Sequence, residues 1–434
     1  MEVDGEPVGG YPIDLESYIS NYTSHTKLER LQFIADKCAG TALELDALRA
    51  AADQLKQGHN TNRYMKVMGL INGRLGPSYA FDKNWYDSTE RKARQTLERL
   101  EGLLTGYKTN LVKESIRMGH NDLGDFHYER GDLQMAFKCY VRTRDYCTTS
   151  KHVLSMCLNV IKVSIEMGNF VHANNYIQKA EQTPDLQDPL ATAKLRCASG
   201  LTALASKKYK QAARKLVEIS PDLGSQYSEV FAAQDVAIYG GLCALATFDR
   251  AELKQKVINN IGFLEFLELV PEVREVIHDF YNSRYTSCLS QLQALRPSLM
   301  LDIHLCDHVA HLFSAIRNRA LIQYTTPFTA VDLNRMAAAF NTTASSLEEE
   351  LAALIMEDQI KARIDSHNKL LYAKHADART AVFKKVVSLG EAYERETKFA
   401  LLRANLHKHD FVVRARPIKA AAGGGFWPQP GSEN

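Results

Sequence analysis

Residues Ile322–His375, IQYTTPFTAVDLNRMAAAFNTTASSLEEELAALIMEDQIKARIDSHNKLLYAKH, hold the one place in this chain where the hydrophobic period changes from helical to alternating. Thr329 or Ala330 opens a short predicted helix through Val331, Leu333, Met336, Ala337 and Phe340. The cluster Asn341-Thr342-Thr343 ends it, because short polar side chains bond nearby backbone. A second helix follows, capped by Ser345 or Ser346. Glu348, Glu349 and Glu350 fall in its first turn, where the helix dipole favours negative charge, and Leu347, Leu351, Leu354 and Ile355 form its buried stripe. The period then becomes two. Ile360, Ala362 and Ile364 alternate with Lys361, Arg363 and Asp365, Ser366-His367-Asn368 turns the chain, and Leu370-Leu371-Tyr372 returns as the second strand of a β-hairpin. Helix, helix, hairpin is the order of a winged-helix module, and a two-stranded wing leaves an edge that another chain can complete.

The same residues carry a family resemblance. Ala320-Leu321-Ile322-Gln323-Tyr324, Pro327-Phe328, Val331-Asp332-Leu333, Met336-Ala337 and Ile364-Asp365-Ser366-His367 resemble the PCI module of the subunit-one family of the COP-nine signalosome. PCI modules are shared by the proteasome lid, the signalosome and translation initiation factor three.

Working outward, the composition excludes several classes. The 434 residues suffice for two or three domains, and 45% hydrophobic with 24% charged residues is ordinary for a globular protein. Lys plus Arg number 53 against 51 Asp plus Glu, so no global field draws the protein to nucleic acid or to an anionic membrane. Neither a leader-like amino-terminal run nor a membrane-length apolar segment is present, and an intracellular protein is expected. The eight cysteines (38, 139, 147, 157, 197, 243, 288, 306) are spread singly with no Cys-x-x-Cys pair, which points to reduced, buried thiols.

Tyr11 to Gly58 reads as helices, Gly58-His59-Asn60 breaks them, and further amphipathic segments separated by Gly73, Gly76-Pro77 and Gly102 follow to Thr105. From Tyr107 a period emerges. Leu123-Gly124, Gly131, Ala136, Tyr140 and Thr143 supply the small and large residues of a tetratricopeptide (TPR) unit. Val160-Ile161, Gly168, Ala173, Ile177, Ala180 and Pro184 repeat the order, and Ser199-Gly200, Ala212, Leu216 and Pro221 repeat it more weakly. The aligned alanines are 37 and 39 residues apart, against about 34 for the standard unit. Such helix pairs cannot bury their apolar faces singly and stack into a rod whose concave side takes partners. Gln234 to Arg319 continues helical, with Pro271 and Pro297 as boundaries. One long helix then runs from Arg379 to Phe411, and a Gly-rich tail containing Ala420 to Gly425 closes the chain.

The expected class is therefore mainly α: a TPR-like helical-repeat rod followed by a PCI domain ending in a winged helix with a small β-hairpin. The expected divisions are a disordered 1–10, a helical region 11–105, repeats 106–222, a PCI domain 223–378 with its winged helix at 320–375, a helix 379–412 and a flexible tail 413–434.

No catalytic constellation is complete in the sequence. His304, His308 and His311, with Asp302, Cys306 and Asp307 nearby, place three imidazoles on one predicted helix face, but ligands along one straight helix point outward as a stripe. Leu305 stands where H-E-x-x-H needs its glutamate. His407 and His409 match the His-x-His of the isopeptidase subunits, yet the downstream positions near Pro417 and Ala420 cannot bind zinc. No phosphate-cradling loop or nucleophile elbow occurs, so neither an enzyme nor a metal or other cofactor is expected. Nucleic-acid recognition through Lys361, Arg363 and the hairpin is opposed by Glu348, Glu349 and Glu350, whose carboxylates repel phosphates. Partner-binding candidates are Arg142 and Arg144, suited to an acidic surface, Lys361 and Arg363 on the wing, and Val382, Val386, Leu389 and Tyr393 on the long helix, a stripe that continues to Ala400 and broadens through Phe383, Val387 and Leu402.

The resemblance extends through Arg142–Thr149, Tyr239–Arg250 and Phe266–Pro271, covering roughly Tyr11 to Asp410. The Tyr239–Arg250 run is more similar to the signalosome member than to its proteasome-lid counterpart. The resemblance implies a non-catalytic scaffold in the nucleus and cytoplasm, within a complex that removes the ubiquitin-like Nedd modifier from cullins. Its implied partners are other PCI and isopeptidase-type subunits and, through the complex, cullin-RING ligases, with no membrane and no nucleic acid.

Overall fold

A computed structural model describes residues 14–183, 188–374 and 378–411. The expected disorder at 1–10, the tail 413–434 and positions Pro184, Pro417 and Ala420 lie outside the described residues. The fold is mainly α-helical with one small β-sheet, and its described residues up to Tyr372 pack as one compact unit, with Ala373 onward forming a second.

Five helices lead: α1 (Leu15–Ser20), α2 (Ser24–Lys37), α3 (Ala42–Gln57), α4 (Thr61–Ile71) and the 27-residue α5 (Lys83–Thr109). Ala47, Leu48, Ala51, Ala52 and Leu55 recur at helical spacing on α3 and meet Leu31, Ile34, Tyr64 and Val67 in a core of their own, to which Leu301 from far along the chain also belongs. Gly58-His59-Asn60 does separate α3 from α4, with the Asn60 side chain accepting from Arg63 N. Gly102 is no break; it lies inside α5, where charged neighbours with good helix propensity carry the helix through it.

The repeating region is three helix pairs in register: α6 (Lys113–Glu129) with α7 (Leu133–Arg142), α8 (Ser150–Glu166) with α9 (Phe170–Glu181), and α10 (Pro189–Ala205) with α11 (Tyr209–Val217). Each aligned alanine, Ala136, Ala173 and Ala212, is fully buried on the second helix of its pair. Each pair turns through a residue of positive φ, Gly131, Gly168 and Lys207. The next residue's N–H then bonds a carbonyl five positions back at 2.9 Å: Asp132 to His127, Asn169 to Ser164 and Lys208 to Ala203. Close packing explains the small residues on the first helices. A Cβ on Gly124 would stand 2.5 Å from the Tyr140 ring, and one on Gly200 would stand 2.6 Å from Leu216.

Beyond come α12 (Ala233–Thr247), the short α13 (Arg250–Leu253), α14 (Ile261–Glu268), α15 (Pro271–Tyr281), α16 (Tyr285–Met300) and α17 (Val309–Thr325). The α15–α16 turn repeats the same geometry: Ser283 has φ of +62° and Arg284 N bonds Asp279 O at 2.9 Å. Cys288 and Leu292 occupy the buried places that Ala136 and Tyr140 hold in the first pair. The period is hidden there because Ser replaces Gly and Cys replaces Ala. Pro271 is the first residue of α15, as a proline at a helix start should be. Pro297 is not a boundary, since α16 continues past it to Met300.

The closing module is β1 (Ala330–Asp332), α18 (Leu333–Ala339), α19 (Ala344–Met356), β2 (Ala362–Asp365) and β3 (Leu370–Ala373). The sheet order is β1-β3-β2, with β1 antiparallel to β3 through Val331 opposite Leu371. The hairpin is as expected; three features correct the sequence reading. Ala330 and Val331 belong to a strand, and α18 starts at Leu333 under an Asp332 side chain that accepts from Asn334 N at 2.9 Å. Thr343, not Ser345 or Ser346, caps α19, accepting from Ser346 N. Glu348, Glu349 and Glu350 consequently sit one turn further in, beyond the reach of the helix-end dipole. One continuous core runs from Tyr128 in α6 to Leu371 in β3, so the helix pairs and the closing module share it. In the second unit, α20 (Ala378–Lys408) spans 31 residues.

Candidate interaction surfaces

Two of the three acidic residues of α19 are occupied. Lys369 Nζ donates to Glu348 Oε1 at 2.8 Å, and Arg317 Nε donates to Glu350 Oε2 at 2.8 Å, which ties the module to α17. On the sheet, β3 is central and β2 forms an outer edge. Ile360 and Ala362 are buried while Lys361 and Arg363 face solvent, so the alternation read from the sequence is real and leaves two cations along that edge.

Arg142 ends α7 and is exposed. Arg144 is also exposed and pairs with its neighbour Asp145 at 3.2 Å, a surface contact worth little in high dielectric. The two arginines stand at the carboxyl-terminal end of one helix pair. On α20, Val382, Val386, Leu389 and Tyr393 are all exposed, the last at 72%, as are Phe383 and Leu402.

The three histidines do not share a helix. Residues 301–308 form successive turns and α17 begins only at Val309, because Asp302 captures the backbone: its Oδ1 accepts from His304 N at 2.9 Å and from Leu305 N at 3.1 Å. His308 Nδ1 lies 3.1 Å from the Tyr209 hydroxyl, and His311 packs on the Tyr209 ring. Burial pushes His304 down to about 4, helped by the Arg30 charge. No group of three or more metal-ligating side chains occurs among the described residues, and no described helix is long and apolar enough to cross a membrane. All eight cysteines are free, six of them buried.

A site that sequence reasoning missed lies where α2 meets α12. Arg30 is fully buried; it donates to Asp302 Oδ2 at 2.6 Å, to Asp235 Oδ2 at 3.2 Å, to the Tyr239 hydroxyl at 3.2 Å and to the Tyr18 hydroxyl, and it lies 4.0 Å from the centre of the Tyr22 ring. Tyr22 donates to Asp235 and Tyr239 donates to Asp302, both at 2.6 Å. Burial alone would lower the guanidinium's pKa, but Asp302, Tyr18, Tyr22 and Asp235 outweigh it and hold it above its ordinary value. For the acids, burial raises Asp235 to about 6 despite Arg30, whereas the closer approach of Arg30 and the surrounding donors hold Asp302 below the usual carboxylate range. Asp302 is thus the firm anion of the pair. The signal for this site was available: Asp235 is the only charged residue in the apolar helix Ala233–Thr247.

A second buried junction joins α2 to the helix pairs. Tyr128 donates to Glu166 Oε1 at 2.5 Å, and His25 Nδ1 stands 3.6 Å from Glu166 Oε2. Burial pushes the Glu166 carboxyl up to about 8. Both junctions lock the leading helices to the body of the molecule.

Comparison with known proteins accounts for this arrangement. The 26S proteasome subunit RPN7 family matches residues 82–256, and the PCI domain family matches residues 292–375. The chain is 57% identical over 409 residues to COP9 signalosome complex subunit 1 of Arabidopsis thaliana, covering 94% of this chain and 93% of that one. It belongs to the COP9 signalosome complex subunit 1 family. Subunit 1b of Drosophila melanogaster is 40% identical over 93% of this chain and 87% of its own length. The 26S proteasome non-ATPase regulatory subunit 6 of Caenorhabditis elegans is 25% identical over 65% of this chain and 70% of its own. The preference for the signalosome over the lid, read from Tyr239–Arg250, therefore holds well beyond that run. Family membership makes this a non-catalytic PCI-domain protein, consistent with the incomplete hydrolase motifs.

Proposed function

We propose that the chain is a scaffold subunit of the COP9 signalosome that supports removal of the ubiquitin-like Nedd modifier from cullins and so regulates cullin-RING ligases. The observation that carries this reading is the similarity along 94% of the chain to a protein of that name. On this reading the pairs α6–α11 are lengthened TPR-like repeats, the PCI domain occupies 223–378, and its module at 320–375 is a winged helix. Other PCI subunits complete the free edge of β2 near Lys361 and Arg363. Helix α20 joins a bundle through Val382, Val386, Leu389 and Tyr393 with Phe383 beside them, because burying five such apolar side chains contributes on the order of 7 to 15 kcal/mol before association entropy is subtracted. Arg142 and Arg144 face an acidic surface of a neighbour. Isopeptidase-type subunits and cullin-RING ligases are partners through the complex, in nucleus and cytoplasm.

The test is purification of the tagged chain from cells, followed by native mass measurement and a cullin de-modification assay. Near-stoichiometric PCI and isopeptidase-type subunits, with activity in the complex and none in the isolated chain, are expected. Recovery with proteasome-lid subunits, or as a free monomer held on nucleic acid in a salt-sensitive way, overturns the proposal. Lys361→Pro, which removes one backbone donor beside β2, should lower incorporation while leaving the fold intact.

A further inference from the structure

Ser206 to Val217 carries five cations, Lys207, Lys208, Lys210, Arg214 and Lys215, and no acid, in a protein whose net charge is only +2. Beside them a groove of about 500 Å3 opens between α9 and α11, with α10 along it. That volume lies in the range of pockets that hold small ligands or a few side chains, roughly 300–1,000 Å3. Helix α9 contributes Phe170 and Val171, and the α11 end contributes Lys208, Arg214 and Lys215; no carboxylate lines the groove. Val171 is 73% exposed at the start of its helix, an apolar side chain with nothing over it.

The polar groups within the groove are arranged unevenly. On α10 the Thr202 and Ser206 hydroxyls are turned back to carbonyls of their own helix, at 2.9 and 2.8 Å, and Ser199 is the remaining hydroxyl of that helix along the groove. Arg214 meets Glu252 at 3.5 Å and Lys215 meets Glu181 at 3.1 Å, both in half-exposed pairs that an incoming carboxylate can replace at small cost. Among the described residues Lys208 has no ion-pair partner.

We infer that this groove receives a short acidic segment of a partner protein, one apolar side chain resting on Phe170 and Val171 and its carboxylates meeting Lys208, Arg214 and Lys215. A polyphosphate or nucleic-acid strand would satisfy the cations and leave Val171 in water, whereas a peptide with an apolar anchor among acids uses both halves of the groove. The inference stands apart from the assembly reading, since neither the small sheet nor α20 contributes to the groove.

The test is fluorescence anisotropy of the full chain with a labelled twelve-residue peptide of alternating Asp and Glu around one Leu. The same peptide with Ser for Leu and an oligothymidylate serve as comparisons, each at low and at physiological salt. Saturable binding is expected for the Leu peptide, weakened about tenfold by Lys208→Glu with Arg214→Glu and about threefold by Val171→Ser. In Val171→Ser the Leu and Ser peptides should bind alike, whereas in the unaltered chain they differ. Lys66→Glu, an exposed cation on α4, should leave binding unchanged. All these side chains are exposed or half-exposed, so melting should match the parent; if the double variant fails to fold, Val171→Ser alone carries the test. No saturable binding, equal affinity for both peptides in the unaltered chain, equal loss in Lys66→Glu, or tighter binding of the oligothymidylate overturns the inference.

Discussion

Two junctions in this molecule join helices by opposite means. In the pairs α6–α7, α8–α9 and α10–α11, the contact is apolar and close: Gly124 against Tyr140, and Gly200 against Leu216 with the same spacing. Where α2 meets α12, the contact is a buried guanidinium shared between two carboxylates and three tyrosines. Apolar contacts are non-directional, which lets successive pairs drift in spacing from 37 to 39 residues and exchange Gly for Ser without losing the turn. The charged junction permits no such drift, because its guanidinium and carboxylates are paired with one another and removal of one leaves a buried charge unpaired.

The sharpest way to break this contrast is Arg30→Ala, which strands Asp302 and Asp235 away from water. A loss of about 3–5 kcal/mol in urea unfolding is expected, with Arg30→Met losing less because it refills the volume. If Arg30→Ala costs no more than an ordinary surface substitution, the junction is not a lock. Next in size are Gly124→Ala and Gly200→Ala, expected to cost about 1–3 kcal/mol each because the new Cβ meets packed side chains.

The Glu166 junction gives a pH signature. Its folded pKa of about 8 lies above the unfolded value of about 4.3, so the folded state binds the extra proton between them. Its contribution is full below about pH 4.3 and is lost as pH rises through about 8, with a slope no steeper than about 1.4 kcal/mol per pH unit. Tyr128, His25, Glu29, Lys162 and Glu229 surround it, so the measurement is the difference between the parent and Glu166→Gln, whose uncharged amide should remove this slope. Smallest is the counter-example to the glycine contacts: Gly102→Ala, inside α5 with open space around it, should stabilise by about 0.5–1 kcal/mol.

The contrast also explains what the sequence made legible. Periodic apolar residues announce themselves, so the helix pairs, the hairpin and the long terminal helix are legible in the runs around Ala136, Ala173, Ala212, Ile360 and Val382. Val331 was read as helical because a three-residue strand contributes too few residues to show a period, and only its pairing with Leu371 defines it. The fourth turn of the same geometry, at Ser283, was hidden by residue types that break the pattern while keeping its shape. Arg30 and Asp302 are 272 residues apart, and nothing local marks a pair whose meaning is tertiary. Asp235, alone among apolar neighbours, was the one visible trace. His304, His308 and His311 had helical spacing, yet the Asp302 side chain bonds the backbone there and replaces the helix with turns.

The claim that the chain is a scaffold joined to its complex through its terminal helix is tested most directly by truncation after Asp377. The fragment keeps the described compact unit up to Tyr372 and lacks α20. Co-expressed with the other subunits and followed by native mass measurement, it should melt as a folded protein and be absent from the assembled complex. A fragment that enters the complex at the level of the full chain would contradict the account, as would one that unfolds once α20 is removed.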